Sequence, residues 1–145
     1  MTTIAWDGIT LAADRQQTAG DLVWDNSVQK ILKNAGPFDA IAGCGNLGEM
    51  EAYLPIIYRS SSLALLRQEE LPPKDVEFMG IINGVCYSIG DGGICKAPNR
   101  CAAGSGEHLA LAAMDFGKSA VEAVRYAATR DIHTNNRVTT YTKGK

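Results

Sequence analysis

Asn83-Gly84 sits between two apolar runs, residues 78–82 and 85–89. A two-residue Asn-Gly connection favours the mirror-image turn that matches the twist of a β-hairpin, since both residues accept a positive φ. The middle of the chain is therefore expected to be an antiparallel pair, which argues against a fold of alternating βαβ units. A similar signal lies near the start, where Trp6-Asp7-Gly8-Ile9 connects residues 2–5 to residues 11–13. Further strands are expected at residues 27–33, 38–42, 94–96 (after Asp91-Gly92-Gly93) and 137–142.

Helical spacing appears twice. Met50, Tyr53, Leu54 and Ile57 recur on one face, Leu63, Leu65 and Leu66 extend the pattern, and Pro55 predicts a kink. Leu71-Pro72-Pro73 ends that region. Later, Ser105 has the chemistry of an N-cap, Leu109, Ala112, Ala113 and Phe116 form an apolar face, and Gly117 closes the helix. Ser119-Ala120-Val121-Glu122 then reads as a capping box that starts another helix, with Val121, Val124 and Ala128 inward. Strands, a helix, strands, two helices and a strand, in that order, predict an α+β fold.

The sequence has 145 residues and neither a linker nor a repeat, so residues 1–145 are expected to form a single domain. Net charge is -2 and no long basic run occurs, which argues against nucleic acid or an anionic membrane as partner. No stretch approaches the roughly 18 apolar residues of a spanning helix, and the N-terminus lacks the pattern of a signal peptide, so a cytoplasmic location is expected. Cys44, Cys86, Cys95 and Cys101 form no CxxC or zinc pattern and read as small buried thiols. With His108 and His133 the only histidines, no metal and no cofactor are expected.

The N-terminus carries the most chemistry. Removal of Met1 would leave Thr2 with both a hydroxyl and a free α-amine, and the amine can serve as base for the hydroxyl. Its ordinary pKa of about 7.7–8.0 leaves a useful neutral fraction near neutral pH. Met-Thr is also an unremarked way for many chains to begin. In residues 28–33 alternation puts Lys30 with Val28 and Leu32, and an ammonium on that apolar face is costly unless paired. An edge lysine snorkelling to water fits the same pattern. Asp14 ends the apolar run Leu11-Ala12-Ala13 and is either a partner for Lys30 or a turn residue.

Thr2-Thr3-Ile4, Ala12-Ala13-Asp14, Gln29-Lys30-Ile31, Ile41-Ala42-Gly43, Gly104-Ser105-Gly106 and Asp131 occur in the order and near the spacing of one family. The ordered set resembles the β-subunits of proteasomes and bacterial HslV, which are N-terminal threonine proteases. The compact length is also similar to that of short proteasome-like proteins of some bacteriophages. The resemblance implies the N-terminal nucleophile hydrolase fold, a four-layer αββα sandwich of two antiparallel sheets. It implies a threonine-type endopeptidase with Thr2 as nucleophile, its amine as base, Lys30 tuning the hydroxyl and Asp14 orienting Lys30. Gly43 would supply the oxyanion N–H, and Ser105 and Asp131, with Thr134 beside them, would hold the amine. Ser105 as a plain helix cap and Asp131 as a turn residue stay open. Thr18 would pair with an extended peptide, and Gln17, Ile41 and Gly45 would line the first side-chain pocket, for mixed or small apolar side chains. Implied partners are polypeptide substrates, further copies in a homo-oligomeric ring, and an HslU-like ATPase unfoldase. Two departures stand out: the first hairpin is about four residues short of the family's, and residues 43–78 have room for one long helix and little of a second.

Three other readings compete. Gly43-Cys44-Gly45-Asn46-Leu47-Gly48 is a literal GxGxxG between an expected strand and helix, the context of a dinucleotide site. No second parallel strand ending in an acid follows it; Glu69 and Glu70 have the separation but precede Pro72. A non-catalytic ring scaffold would keep the fold alone, and an amidase for small substrates would keep the chemistry.

Overall fold

The structure, a computed structural model, describes residues 2–144, so the expected loss of Met1 concerns a residue outside the described ones. The chain opens with β1 (Thr3–Trp6), β2 (Thr10–Asp14), β3 (Gln17–Ala19), β4 (Leu22–Asp25), β5 (Ile31–Ala35) and β6 (Phe38–Gly45). Two helices follow, α1 (Leu47–Arg59) and α2 (Leu63–Leu66). Then come β7 (Val76–Ile82), β8 (Val85–Gly90), β9 (Gly93–Lys96), β10 (Cys101–Gly104), α3 (Glu107–Asp115), α4 (Ala120–Ala128) and β11 (Val138–Thr142).

Every strand ladder is antiparallel. One sheet has the order β10-β1-β2-β11, a second runs β5-β6-β7-β8-β9, and β3 pairs with β4 alone. The Asn83-Gly84 turn joins β7 to β8 with φ of 50° and 75°, the positive pair that the dipeptide predicts.

The period-two alternation of the strands divides the buried side chains. Ile4 and Trp6 of β1 and Leu11 and Ala13 of β2 pack with Ala40, Ala42, Met79, Ile81 and Cys86 of the five-stranded sheet. The intervening Ala5 and Ala12 pack instead with Ala110, Ala113 and Met114 of α3 and Ala120, Ala123 and Val124 of α4. Methyl groups on both sides let those helices approach the sheet closely. On the far face of the five-stranded sheet, Phe38, Ile41, Val76 and Phe78 pack with Tyr53, Ile57 and Leu66.

Helix starts follow their caps. Asn46 Oδ1 accepts the Glu49 N–H at 3.1 Å to open α1, and the Ser119–Glu122 capping box is formed at α4. Pro55 lies inside α1 without ending it. The carbonyl left unpaired is that of exposed Glu51, where water can satisfy it, while buried Tyr53 and Ile57 hold the helix down. α2 is only 4 residues long, so the room for a second helix here is as small as expected.

Several expectations fail. Residues 27–30 are not strand: β5 begins at Ile31, because Val28 N–H bonds the Arg15 carbonyl at 2.9 Å and holds the preceding segment against the end of β2. β3, β4 and β10 were not foreseen; they are short, and β10 is built of Cys, Ala and Gly, which carry no strand pattern. Phe116 is 89% exposed rather than inward. It caps the C-terminus of α3, beyond the buried stripe of Ala110, Ala113 and Met114. Ser105 caps nothing, since the N-cap of α3 is Gly106.

Candidate active site

The start of β1 and the end of β2 lie side by side because Ile4 pairs with Ala13. That register carries Thr2 and Asp14 to the same end of the sheet. The Thr2 hydroxyl donates to Asp14 Oδ1 and accepts from Lys30 Nζ. Lys30 Nζ also donates to Asp14 Oδ1 at 2.9 Å and to the Gln16 carbonyl.

Asp14 is 0% exposed and fully satisfied. Its Oδ1 accepts the Thr3 N–H at 3.0 Å, and its Oδ2 accepts the N–H groups of Gln16 at 3.1 Å and Asn135 at 3.2 Å. A buried carboxylate is tolerable when a cation and several donors replace its water, and here both do. Burial pulls the Lys30 ammonium below its ordinary pKa, while Asp14 works in the opposite direction. The snorkelling reading of Lys30 is therefore set aside: its side chain is only 10% exposed and its charge is paired.

A second polar network adjoins the first. Asp131 Oδ2 accepts from Ser105 Oγ at 2.6 Å and from Thr134 Oγ1 at 2.6 Å, and Oδ1 accepts the His133 N–H at 3.1 Å. Burial opposes the Asp131 charge, yet the hydrogen bonds prevail and its pKa lies below the ordinary value. The Thr134 hydroxyl spends its proton on Asp131, so in the 2.6 Å contact with Thr3 Oγ1 it is Thr3 that donates. Ser105 Oγ also lies 3.4 Å from the Thr2 carbonyl, but the shorter bond to Asp131 takes its proton. Both Gly104 and Gly106 are required by this crowding. A Cβ at Gly104 would stand 1.9 Å from the Thr2 carbonyl oxygen, and one at Gly106 would stand 2.1 Å from Thr3 Oγ1.

The segment after α4 ties the two networks together. Asn135 Oδ1 accepts the Arg15 N–H at 3.0 Å, and Gln16 Nε2 donates to the Ile132 carbonyl at 2.7 Å. Gln16 and Asn135 carry no signal in the sequence, and Thr3 appears there only as part of the opening motif, because all three reach Asp14 through backbone N–H groups, which leave no mark in residue type.

Thr2 and Lys30 line a cleft of about 690 Å³. Gln17, Thr18, Ile41, Gly43 and Gly45 line the same cleft, so every expected substrate-contacting residue is on its wall. Val28, Gln29 and Leu32 line it with Lys30, so in this non-strand segment the cleft takes neighbouring residues as well as alternate ones. Thr18 Oγ1 lies 3.3 Å from His133 Nδ1, which brings a histidine to the rim that the sequence did not mark. Part of the wall is apolar, with Leu32, Ile41, Met50, Leu54 and Phe78. Cys44 borders the cleft as a neutral thiol, since burial pushes its pKa up to about 12.

The dinucleotide reading fails on topology. β6, which holds the first glycines of the GxGxxG, has antiparallel neighbours on both sides, and no βαβ crossover starts from it. Packing accounts for those glycines: a Cβ at Gly45 would stand 1.8 Å from the Asp75 carbonyl oxygen, and one at Gly43 would stand 2.8 Å from Met50 Sδ and from the Phe78 ring.

No protein-family model matches the chain. Over 94% of its length it is 27% identical to proteasome subunit beta 1 of Thermococcus onnurineus (strain NA1), of which the match covers 83%. Its fold is similar to that of Thiobacillus denitrificans BPH, with a TM-score of 0.73 at 17% identity, over 97% of this chain and 95% of that one. The same protein in complex with epoxomicin gives a TM-score of 0.73 at 15% identity, over 97% and 96% of the two chains. The resemblance to the proteasome β-subunit family thus extends over nearly the whole chain, in sequence and in an α+β fold.

Proposed function

We propose that the protein is a threonine-type endopeptidase with Thr2 as its nucleophile. The observation that carries this reading is the contact of Lys30 Nζ and Asp14 with the hydroxyl of Thr2, which lines an open cleft. A surface threonine has no use for a buried ion pair on its oxygen. A nucleophile does, because a cation beside it favours the alkoxide and keeps a neighbouring amine neutral. The fold we assign is the four-layer αββα arrangement of N-terminal nucleophile hydrolases. The three buried clusters, one between the two larger sheets and one under each helix pair, support it.

Loss of Met1 frees the Thr2 α-amine. That amine takes the hydroxyl proton as Thr2 Oγ attacks the peptide carbonyl, and passes it to the departing amine of the substrate. The resulting ester is hydrolysed by water, activated by the same amine. Lys30 supplies the fixed positive charge and Asp14 orients it. The Gly43 N–H is assigned to the oxyanion, a role worth about 10²–10³ in rate. Consistent with it, β5 pairs with β6 only as far as Ala42, so Gly43 lies where that ladder has ended. Ser105 and Asp131, with Thr134, hold the amine. Thr18 pairs with the extended substrate backbone, while Gln17, Ile41 and Gly45 border its first side chain. The apolar wall of Leu32, Met50, Leu54 and Phe78 favours the apolar part of the mixed or small apolar preference expected from sequence, with room for a larger apolar side chain.

A homo-oligomeric ring and an HslU-like unfoldase belong to the same reading. The short α2 leaves ring size and the need for an unfoldase to be measured, by mass photometry and by hydrolysis of a folded substrate. No helix of the described residues is long and apolar enough to cross a membrane. A cytoplasmic site of action is proposed with the rest.

The decisive test is intact mass after incubation with epoxomicin, the compound bound in the BPH structure of similar fold. The expected result is one adduct, on a chain lacking Met1, that Thr2→Ala abolishes. Lys30→Ala should lower peptide hydrolysis by at least about 10²-fold. A purified protein that retains Met1, or one that lacks it and forms no adduct, would leave a non-catalytic scaffold as the better reading.

A further inference from the structure

Cys86 and Cys101 meet across the interface between the two larger sheets, outside the active site. Cys86 is on β8 of the five-stranded sheet and Cys101 on β10 of the four-stranded sheet, and their Sγ atoms are 3.8 Å apart. Neither residue is the other's strand partner: Cys86 faces Ile81 in its ladder, and Cys101 faces Trp6. The chain crosses from one sheet to the other between them, anchored where the Ala97 N–H meets the Cys86 carbonyl at 2.8 Å. Both side chains belong to the same apolar cluster, Cys86 as a buried member and Cys101 partly buried against it.

We propose that Cys86 and Cys101 are a modification site, joined into a disulfide by a peroxide-class oxidant and released by thiols. A disulfide requires an S–S distance of about 2.05 Å, so the sulfurs must approach by about 1.8 Å, within reach of side-chain rotation. In the first step the Cys101 thiolate attacks a peroxide oxygen, giving a sulfenic acid and hydroxide. In the second, the Cys86 sulfur attacks the sulfenic sulfur; the S–S bond forms, the S–O bond breaks, and the Cys86 proton leaves as water with the departing hydroxide. Two thiols and one peroxide become one disulfide and two waters, with two electrons passing from sulfur to oxygen. The order of attack follows from position and acidity. Cys101 is the more exposed of the two, and its contact with Cys86 draws its pKa below the ordinary value, while the same contact and burial push that of Cys86 up.

The bond would close the crossover between the sheets. β10 ends at Gly104 and leads directly into Ser105, so the bond would also fix the strand that positions this donor to Asp131. The inference does not depend on peptidase activity.

The test uses the full chain with Cys95→Ser, which removes the exposed thiol of β9. Brief hydrogen peroxide treatment should remove two hydrogen atoms from the intact mass, and a peptide map should link Cys86 to Cys101. Closing a loop of this length should raise Tm by on the order of 10 °C, reversibly with dithiothreitol. Cys101→Ala should abolish both changes. Should that variant fail to fold, the peptide map and Tm of the parent protein decide. Oxygen addition to Cys101 without the link, a link to Cys44 instead, or an unchanged Tm would overturn the proposal.

Discussion

Asp14 and Asp131 stand on either side of the first residues of β1, and the fold holds them by different means. Asp14 is fully buried and receives a full positive charge, three backbone N–H groups and a hydroxyl. Asp131 is half-buried, and its hydrogen-bond donors are two hydroxyls and one backbone N–H. The contrast follows from solvation. A carboxylate that keeps some water needs only neutral donors to stay ionised, whereas one with no water needs a cation. The cation is also what touches the Thr2 oxygen. The costly buried charge therefore lies where the proposed chemistry is, and the cheaper network positions the backbone around it.

The largest expected effect is at the buried pair. Asp14→Ala strands the Lys30 ammonium and orphans three N–H groups, and should cost about 3–5 kcal/mol in urea unfolding. Lys30→Met should cost a similar amount by stranding Asp14. The double variant Asp14→Ala/Lys30→Met should be less destabilised than the sum of the two by more than about 1 kcal/mol. Simple additivity would show that the two charges do not act as a unit, and the contrast with Asp131 would lose its basis.

A smaller effect is expected from the hydroxyl network. Thr134→Val removes the link between Thr3 and Asp131 and leaves the Thr3 hydroxyl unpaired in a buried position, at about 1–3 kcal/mol. Ser105→Ala removes one donor from the more exposed side and should cost about 0.5–1.5 kcal/mol. If Ser105→Ala proves the more damaging in the same unfolding measurement, Ser105 is doing more than holding Asp131.

The smallest effect is in the pH dependence of stability. The pKa of Asp131 is depressed in the folded chain from an ordinary 3.8, so above that value its ionised form stabilises the fold in full. Below 3.8 the unfolded chain binds more protons, and the contribution fades as pH falls through the folded pKa. The difference in urea midpoint between the protein and Asp131→Asn should therefore shrink on acidification below that value. A difference that stays constant across it would mean that Asp131 is not held as an anion.

The fold was legible where local rules are strong. The Asn83-Gly84 turn, the capping box at Ser119 and the helical stripe of Tyr53 and Ile57 each follow from a few neighbouring residues, and each is formed. Lys30 does line the cleft with Val28 and Leu32, but strand alternation is not the reason, since the strand begins only at Ile31 and Gln29 lines the same cleft. What displaced the strand start was the distant Arg15 carbonyl, which takes the Val28 N–H. Ser105 shows the limit most clearly. Its residue type fits a helix cap and a donor to Asp131 equally well, and only the approach of α4's following loop decides between them.

By itself, the sequence determined the antiparallel hairpins and the start of α4, because turn geometry and capping act over a few residues, whereas the polar residues of the site were marked as a set only by the family resemblance. The tertiary structure alone decided that Thr2, Asp14 and Lys30 touch, that Asp131 binds Ser105 and Thr134, and that Cys86 faces Cys101. Those contacts join residues far apart along the chain, and their distances depend on sheet register and on how two layers pack, which no local pattern encodes.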